Sequence, residues 1–171
     1  GDIGPRVPLV AAQAVLVETS RSQLQTLSFP KLSSVGPFEV RSATLTTLSL
    51  PALVECGAIK IASIELQSFR APELVSAAGT ILFERAYEPF RSRTSRLASI
   101  VLPKLTDVTA MRLVDLPELT VIDLARLKTV GDHLRFINLP RVTQLGLPAL
   151  EAVPDLSVTS LSTLAQISAP K

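Results

Sequence analysis

The residues best equipped to touch another molecule are concentrated between Glu84 and Arg96. That segment carries Arg85, Arg91, Arg93 and Arg96 beside Tyr87 and Phe90, against only Glu84 and Glu88. Its charge is +2, while the other 13 basic and 13 acidic residues of the chain cancel. Arginine and tyrosine are enriched where interfaces bind most tightly. Arg85, Tyr87, Phe90, Arg91, Arg93 and Arg96 are therefore the expected binding residues, directed at an acidic or glycan-bearing partner. The same composition also suits a segment folded back on its own domain, with Phe90 over an apolar edge and arginines against glutamates.

Other chemistries have less to draw on. One Cys and one His cannot furnish a zinc site, and Cys56 has no partner for a disulfide. His133 follows Gly131-Asp132 at a corner, with no Ser or Cys motif beside it, and reads as a surface turn residue. Aspartates and glutamates are spread thinly, without a calcium-loop or glycosidase arrangement. No catalytic residue, metal or cofactor is expected. A net charge of +2 is too balanced to indicate nucleic acid. No apolar run approaches the roughly 18 residues of a membrane span, so no membrane insertion is expected.

What must position the arginine-rich segment is a repeat. Seven segments share one pattern: LQTLSFPKL (24–32), LTTLSLPAL (45–53), LQSFRAPEL (66–74), LASIVLPKL (97–105), LTVIDLARL (119–127), VTQLGLPAL (142–150) and LAQISAPK (164–171). Their punctuating residues are Pro30, Pro51, Pro72, Pro103, Ala125, Pro148 and Pro170, spaced by 21, 21, 31, 22, 23 and 22 residues. Two residues on stand Leu32, Leu53, Leu74, Leu105, Leu127 and Leu150, and three further Val35, Cys56, Ala77, Val108, Val130 and Val153. Cys56 thus reads as a packed core thiol. A column of Gly36, Gly57, Ala78, Thr109, Gly131 and Pro154 follows, read as a corner where glycine supplies a positive φ.

Beyond that corner each repeat has an apolar-x-apolar pair, such as Phe38/Val40 or Ile59/Ile61. Such alternation predicts a strand with one inward face. The Leu-x-x-Leu-x-Leu segment supplies a second strand, and Pro, lacking an amide donor, marks its end. Too few residues intervene for a helix. The expected fold is all-β: a single-chain parallel β-solenoid, a right-handed β-helix, of about seven coils of 21–23 residues with one loop insertion at 84–96. Coils about 4.8 Å apart would make a rod of roughly 35 Å. With aromatics at 4% of the chain, the core must be aliphatic.

Two sets of outward positions remain. Gln25, Thr46, Gln67, Ala98, Thr120, Thr143 and Ala165 run beside Thr26, Thr47, Ser68, Ser99, Val121, Gln144 and Gln166, and read as small residues crossing a solvated bend rather than a regular threonine array. Lys60, Arg112 and Arg135 hold the middle outward position of three coils, as an ordinary charged face or a shallow anion-binding strip. Residues 1–23 fit the pattern poorly and are expected to form an N-terminal cap and partial coil, with the solenoid over 24–171. At Leu164, Ile167 and Ala169 the last coil would present an open edge, the expected self-assembly surface for a homo-oligomer.

The fuller pattern, Leu-x-x-Leu-x-Leu-Pro-x-Leu-x-x-Val-Gly with a second Pro as in Asp115-Leu116-Pro117 and Asn138-Leu139-Pro140, resembles the receptor L-domain group of leucine-rich repeats in its microbial surface form. The usual leucine-rich repeat has Asn where this chain has Leu32 and its equivalents. The resemblance implies a β-solenoid used for binding or display, extracellular or at the cell surface. The expected function is non-enzymatic contact with a protein or glycan through an outward face and the 84–96 loop. The alternative is a structural subunit that assembles through its coil ends.

Overall fold

The computed structural model describes residues 9–19, 24–84 and 94–170. They form a parallel β-solenoid of about seven coils, and no helix occurs among them. Each coil has a long side and a short side. The long side comprises β1 (Ala11–Ala12) with β2 (Val15–Thr19), β4 (Ser34–Ser42), β6 (Glu55–Ser63), β8 (Ser76–Glu84), β10 (Asp107–Val114), β12 (Thr129–Val130) with β13 (His133–Ile137), and β15 (Asp155–Thr159). These make one nine-stranded parallel sheet. The short side is β3 (Thr26–Ser28), β5 (Thr47–Ser49), β7 (Ser68–Arg70), β9 (Ser99–Val101) and β11 (Val121–Asp123), followed by a separate pair, β14 (Gln144–Gly146) and β16 (Gln166–Ser168).

Burial follows the repeat columns. Leu32, Leu53, Leu74, Leu105 and Leu127 are fully buried, and Val35, Cys56, Ala77, Val108 and Val130 nearly so. Each fully buried leucine contributes about 1.5–3 kcal/mol over an exposed one. Phe38, Phe69, Phe83 and Phe136 fill the larger gaps, with Phe69 and Phe83 packed edge to face at 5.0 Å. Register carries the columns from coil to coil: Phe38 pairs with Ile59, Ile59 with Ile81, Ile81 with Met111, and Met111 with Leu134.

The glycine column has a different cause from the expected one. No described glycine has a positive φ, and the long strands run straight through Gly36 and Gly57 instead of stopping there. The constraint is contact between coils. A Cβ on Gly57 would lie 2.8 Å from the carbonyl carbon of Gly36, and one on Gly79 would lie 2.7 Å from the Gly57 oxygen. The stacked residue in β8 is thus Gly79 rather than Ala78, because β8 carries one extra residue between Ala77 and Ile81.

Positive φ occurs at the opposite corner, at Asp115, Asn138 and Ser160. Asp and Asn tolerate this left-handed conformation better than most residues. Asn138 also donates its Nδ2 to Asp115 Oδ1 at 2.7 Å, tying successive corners together. The equivalent early corners carry serine: Ser42 Oγ accepts the amides of Leu45 at 3.0 Å and Thr44 at 3.2 Å, while Ser63 Oγ donates to Leu45 O at 3.5 Å.

Side chains add rungs between coils. Thr46, Thr106, Thr109 and Thr120 each donate a hydroxyl to a carbonyl of the preceding coil, at 2.9–3.2 Å. Lys104–Glu73 at 2.6 Å, Lys128–Glu151 at 3.3 Å and Arg141–Glu118 bridge neighbouring coils on the outside.

Candidate functional site

The arginine-rich insertion grows from two fixed points. It leaves at Glu84, the last residue of β8, where Glu84 is in register with Ala62 on one side and Val114 on the other. Glu84 Oε1 also lies 3.7 Å from Lys60 Nζ. The chain rejoins the rod through Ser95 and Arg96. Ser95 is buried and its Oγ accepts the Leu97 amide at 3.3 Å. The Arg96 amide donates to Ile64 O at 2.8 Å. Its guanidinium pairs with Glu65 at 2.9 Å, though the side chain stays 61% exposed.

Of the expected contact residues, Arg85, Tyr87, Phe90, Arg91 and Arg93 lie outside the described residues. Arg96 is placed: it is an outer coil-to-coil pair at the root of the insertion. Its partner Glu65 was not anticipated, because it sits 31 residues earlier in a coil whose length breaks the repeat phase. The buried serine at the root was legible only through Ser42 and Ser63, which hold comparable corners.

On the outer face of the long sheet, register brings Glu39, Lys60, Leu82, Arg112, Arg135 and Ser157 into one row. Of the two readings of this row, the ordinary charged face is the one it fits, because its cations are mostly neutralised. Lys60 stands 3.7 Å from both Glu39 and Glu84, and Arg135 pairs with Asp155 at 2.8 Å. Arg112 has no acidic partner among the described residues, and its buried Nε has no hydrogen-bond acceptor. One open cation does not make a strip.

Cys56 is a core side chain, as its column implies, and burial pushes its thiol up to about 12. The thiolate that nucleophilic chemistry needs is therefore suppressed at neutral pH. His133 departs from the expected surface turn. It opens β13 with a side chain only 18% exposed, its Nδ1 2.7 Å from Asp132 Oδ2, and its Nε2 buried without a partner. Gly131 and Asp132 absorb the bend, so the histidine already belongs to the strand. No group of three His, Cys, Asp or Glu able to hold a metal ion occurs among the described residues.

The expected assembly edge lies on β16 and its approach. Leu164 is half-buried against the core, while Ile167, paired only with Leu145, is 48% exposed and Ala169 is exposed. On the long side of the same coil Leu156 is 42% exposed, although it continues the buried column of Leu134. The outward short-side positions are exposed or half-buried as expected, from Thr26 and Thr47 to Gln144 and Gln166. No family model matches the chain, and neither a curated protein nor a solved structure does.

Proposed function

We propose that this protein is a non-enzymatic display module, a rigid β-solenoid that contacts a protein or glycan partner through an outward face and the arginine-rich insertion. The finer repeat type proposed is the receptor L-domain-like leucine-rich repeat, and with it a secreted or surface location. The observation that carries the reading is the double anchorage of the insertion. A segment bearing Arg and Tyr is held at Glu84 by strand pairing on both sides and at Ser95–Arg96 by main-chain and ion-pair contacts. The continuous core beneath it runs unbroken from Leu32 to Leu147. The two roots are fixed before any partner arrives, which removes their share of the ordering cost of binding.

The test replaces Arg85, Tyr87, Phe90, Arg91 and Arg93 together by serine. Binding of the immobilised protein to an array of glycans and surface proteins is compared with that of the parent chain. The expected result is loss of the array hits with an unchanged thermal midpoint. Hits that persist at full strength would remove the insertion from the binding surface.

A further inference from the structure

A second surface lies on the short side, at the seam between β5 and β7. Elsewhere in that sheet the coils are laced at both ends of each strand. The Thr46 and Ala98 amides donate to the carbonyls of Gln25 and Gln67, and the Phe29 and Ala71 amides to those of Ser49 and Val101. At the β5–β7 seam neither corresponding bond forms, from Gln67 to Thr46 or from Leu50 to Arg70, and the paired register covers only Leu48–Phe69 and Ser49–Arg70. The seam is thus less fully hydrogen-bonded than its neighbours. Over it lies an open groove of about 540 Å³ walled by Pro51 and Pro72.

The groove is furnished with unused polar groups. Thr47, Ser49, Gln67 and Ser68 line it with Arg70, and among the described residues none of these side chains has a hydrogen-bond or ion-pair partner. No carboxylate lines it. Gln67 also borders a second hollow of about 310 Å³ beside Thr94, Arg96 and Glu118, at the root of the insertion. Glu118 is itself paired with Arg141. An extended ligand lying along both hollows, which share Gln67, would meet the unpaired Arg70 in the first and, in the second, Arg96 already held by Glu65, so Arg70 is the cation the groove offers.

We infer that this groove binds an acidic oligosaccharide, a sugar chain carrying carboxylate or sulfate groups. The inference rests on the binding-module reading above and supplies it with a ligand class. A guanidinium grips carboxylate or sulfate through two parallel hydrogen bonds. Short hydroxyls and a primary amide both donate and accept, which matches the mixed character of sugar hydroxyls. The molecule contains its own contrast: the short side is also unlaced between β11 and β14, yet there Asp123 occupies the Arg70 column, through the register Arg70–Val101–Asp123. A carboxylate at that position repels an acidic chain, so of these two seams the β5–β7 one is suited to it.

The test titrates the folded protein by calorimetry with an oligogalacturonate, its fully methyl-esterified neutral form and a poly-glutamate peptide of equal charge. Binding of the acid but not the ester is expected, with Arg70→Gln weakening it at least about tenfold. Ser68→Asp, which sets a carboxylate beside Arg70, serves as the second variant, and far-ultraviolet dichroism verifies that both fold. The serine-substituted insertion variant should retain groove binding. Equal binding of the ester, preference for the peptide, indifference to both groove substitutions, or no glycan binding at all would each overturn the inference. If glycan binding vanished only in the insertion variant, the groove assignment would fall and the insertion reading would stand. Absence of both glycan binding and the array hits would sink the two together.

Discussion

The coils on either side of the insertion solve the same turn differently. Before it, the punctuating prolines are 21 residues apart, and afterwards the spacing is 22 or 23. The early corner runs from Ser42 to Leu45, with the serine hydroxyl capping the amides ahead of it. The late corner runs from Asp115 to Leu119, one residue longer, and that extra residue is accommodated by a left-handed backbone at Asp115, Asn138 and Ser160. At the other bend the early coils stack Gly36, Gly57 and Gly79 in close contact, while the later ones use Thr109 and Gly131 with room to spare. The second residue of difference, in the 23-residue coil, is the interruption between β12 and β13. A solenoid can thus change coil length without disturbing its core, provided the surplus is confined to corners.

The largest effect expected from this contrast comes from adding one methyl group. In Gly57→Ala the new Cβ would press on the Gly36 backbone at 2.8 Å, and backbone cannot step aside as a side-chain tip can. The cost should be about 1–3 kcal/mol, the usual range for overpacking a tight site. In Gly131→Ala the nearest atoms are Thr109 Cα and O at 3.6 Å, an ordinary contact. With no positive φ to oppose it, that change should be neutral or stabilise by up to about 1 kcal/mol. Urea denaturation of both variants measures the difference. Equal destabilisation would mean that the two bends are built alike.

The corners offer a smaller and sharper test, because glycine should have opposite effects in the two halves. Asn138→Ala forces a Cβ-bearing residue without a helpful amide into the left-handed region and removes the bond to Asp115, at a cost of about 1–2 kcal/mol. Asn138→Gly should recover part of that loss. Ser42 has no positive φ, so Ser42→Gly gains nothing from glycine's freedom while stranding the Leu45 and Thr44 amides. It should therefore be no more stable than Ser42→Ala, by thermal midpoints measured in parallel. A glycine benefit at both corners would erase the proposed distinction.

These corners also mark how far the amino-acid sequence could be read. The aliphatic columns were legible because every coil must bury Leu32 or its equivalent at one phase, and a missing member would leave a hole. The glycine column was visible but its reason was not: a conformational need and a stacking need both exclude Cβ, and only the distance between coils separates them. Asp115 and Asn138 stand out in the sequence as part of a motif, but their left-handed φ does not, since it depends on a corner one residue longer. His133 was misplaced because the bend falls on the two residues before it. The insertion announced itself by composition. The partner of Arg96 did not, because Glu65 reaches it across a coil of altered length. The unlaced seam has no sequence signature at all, for it consists of main-chain bonds not made.

The least effect is expected where the two halves are joined from outside. Lys104 and Glu73 meet at 2.6 Å across the insertion coil, but both side chains are nearly half exposed. An exposed pair of this kind contributes about 0–1 kcal/mol and is screened by salt. At the same junction the Thr106 hydroxyl donates to Val75 O at 3.1 Å, and the Thr106 amide to the same oxygen at 2.8 Å. Those bonds carry no net charge and should be insensitive to ionic strength. A double-mutant cycle with Lys104→Ala and Glu73→Ala should give a coupling below about 1 kcal/mol that fades in molar salt. Thr106→Val should cost about 0.5–1.5 kcal/mol at any salt concentration. A large, salt-resistant coupling between Lys104 and Glu73 would reverse that order, making the ion pair rather than the threonine rung the fastening between early and late coils.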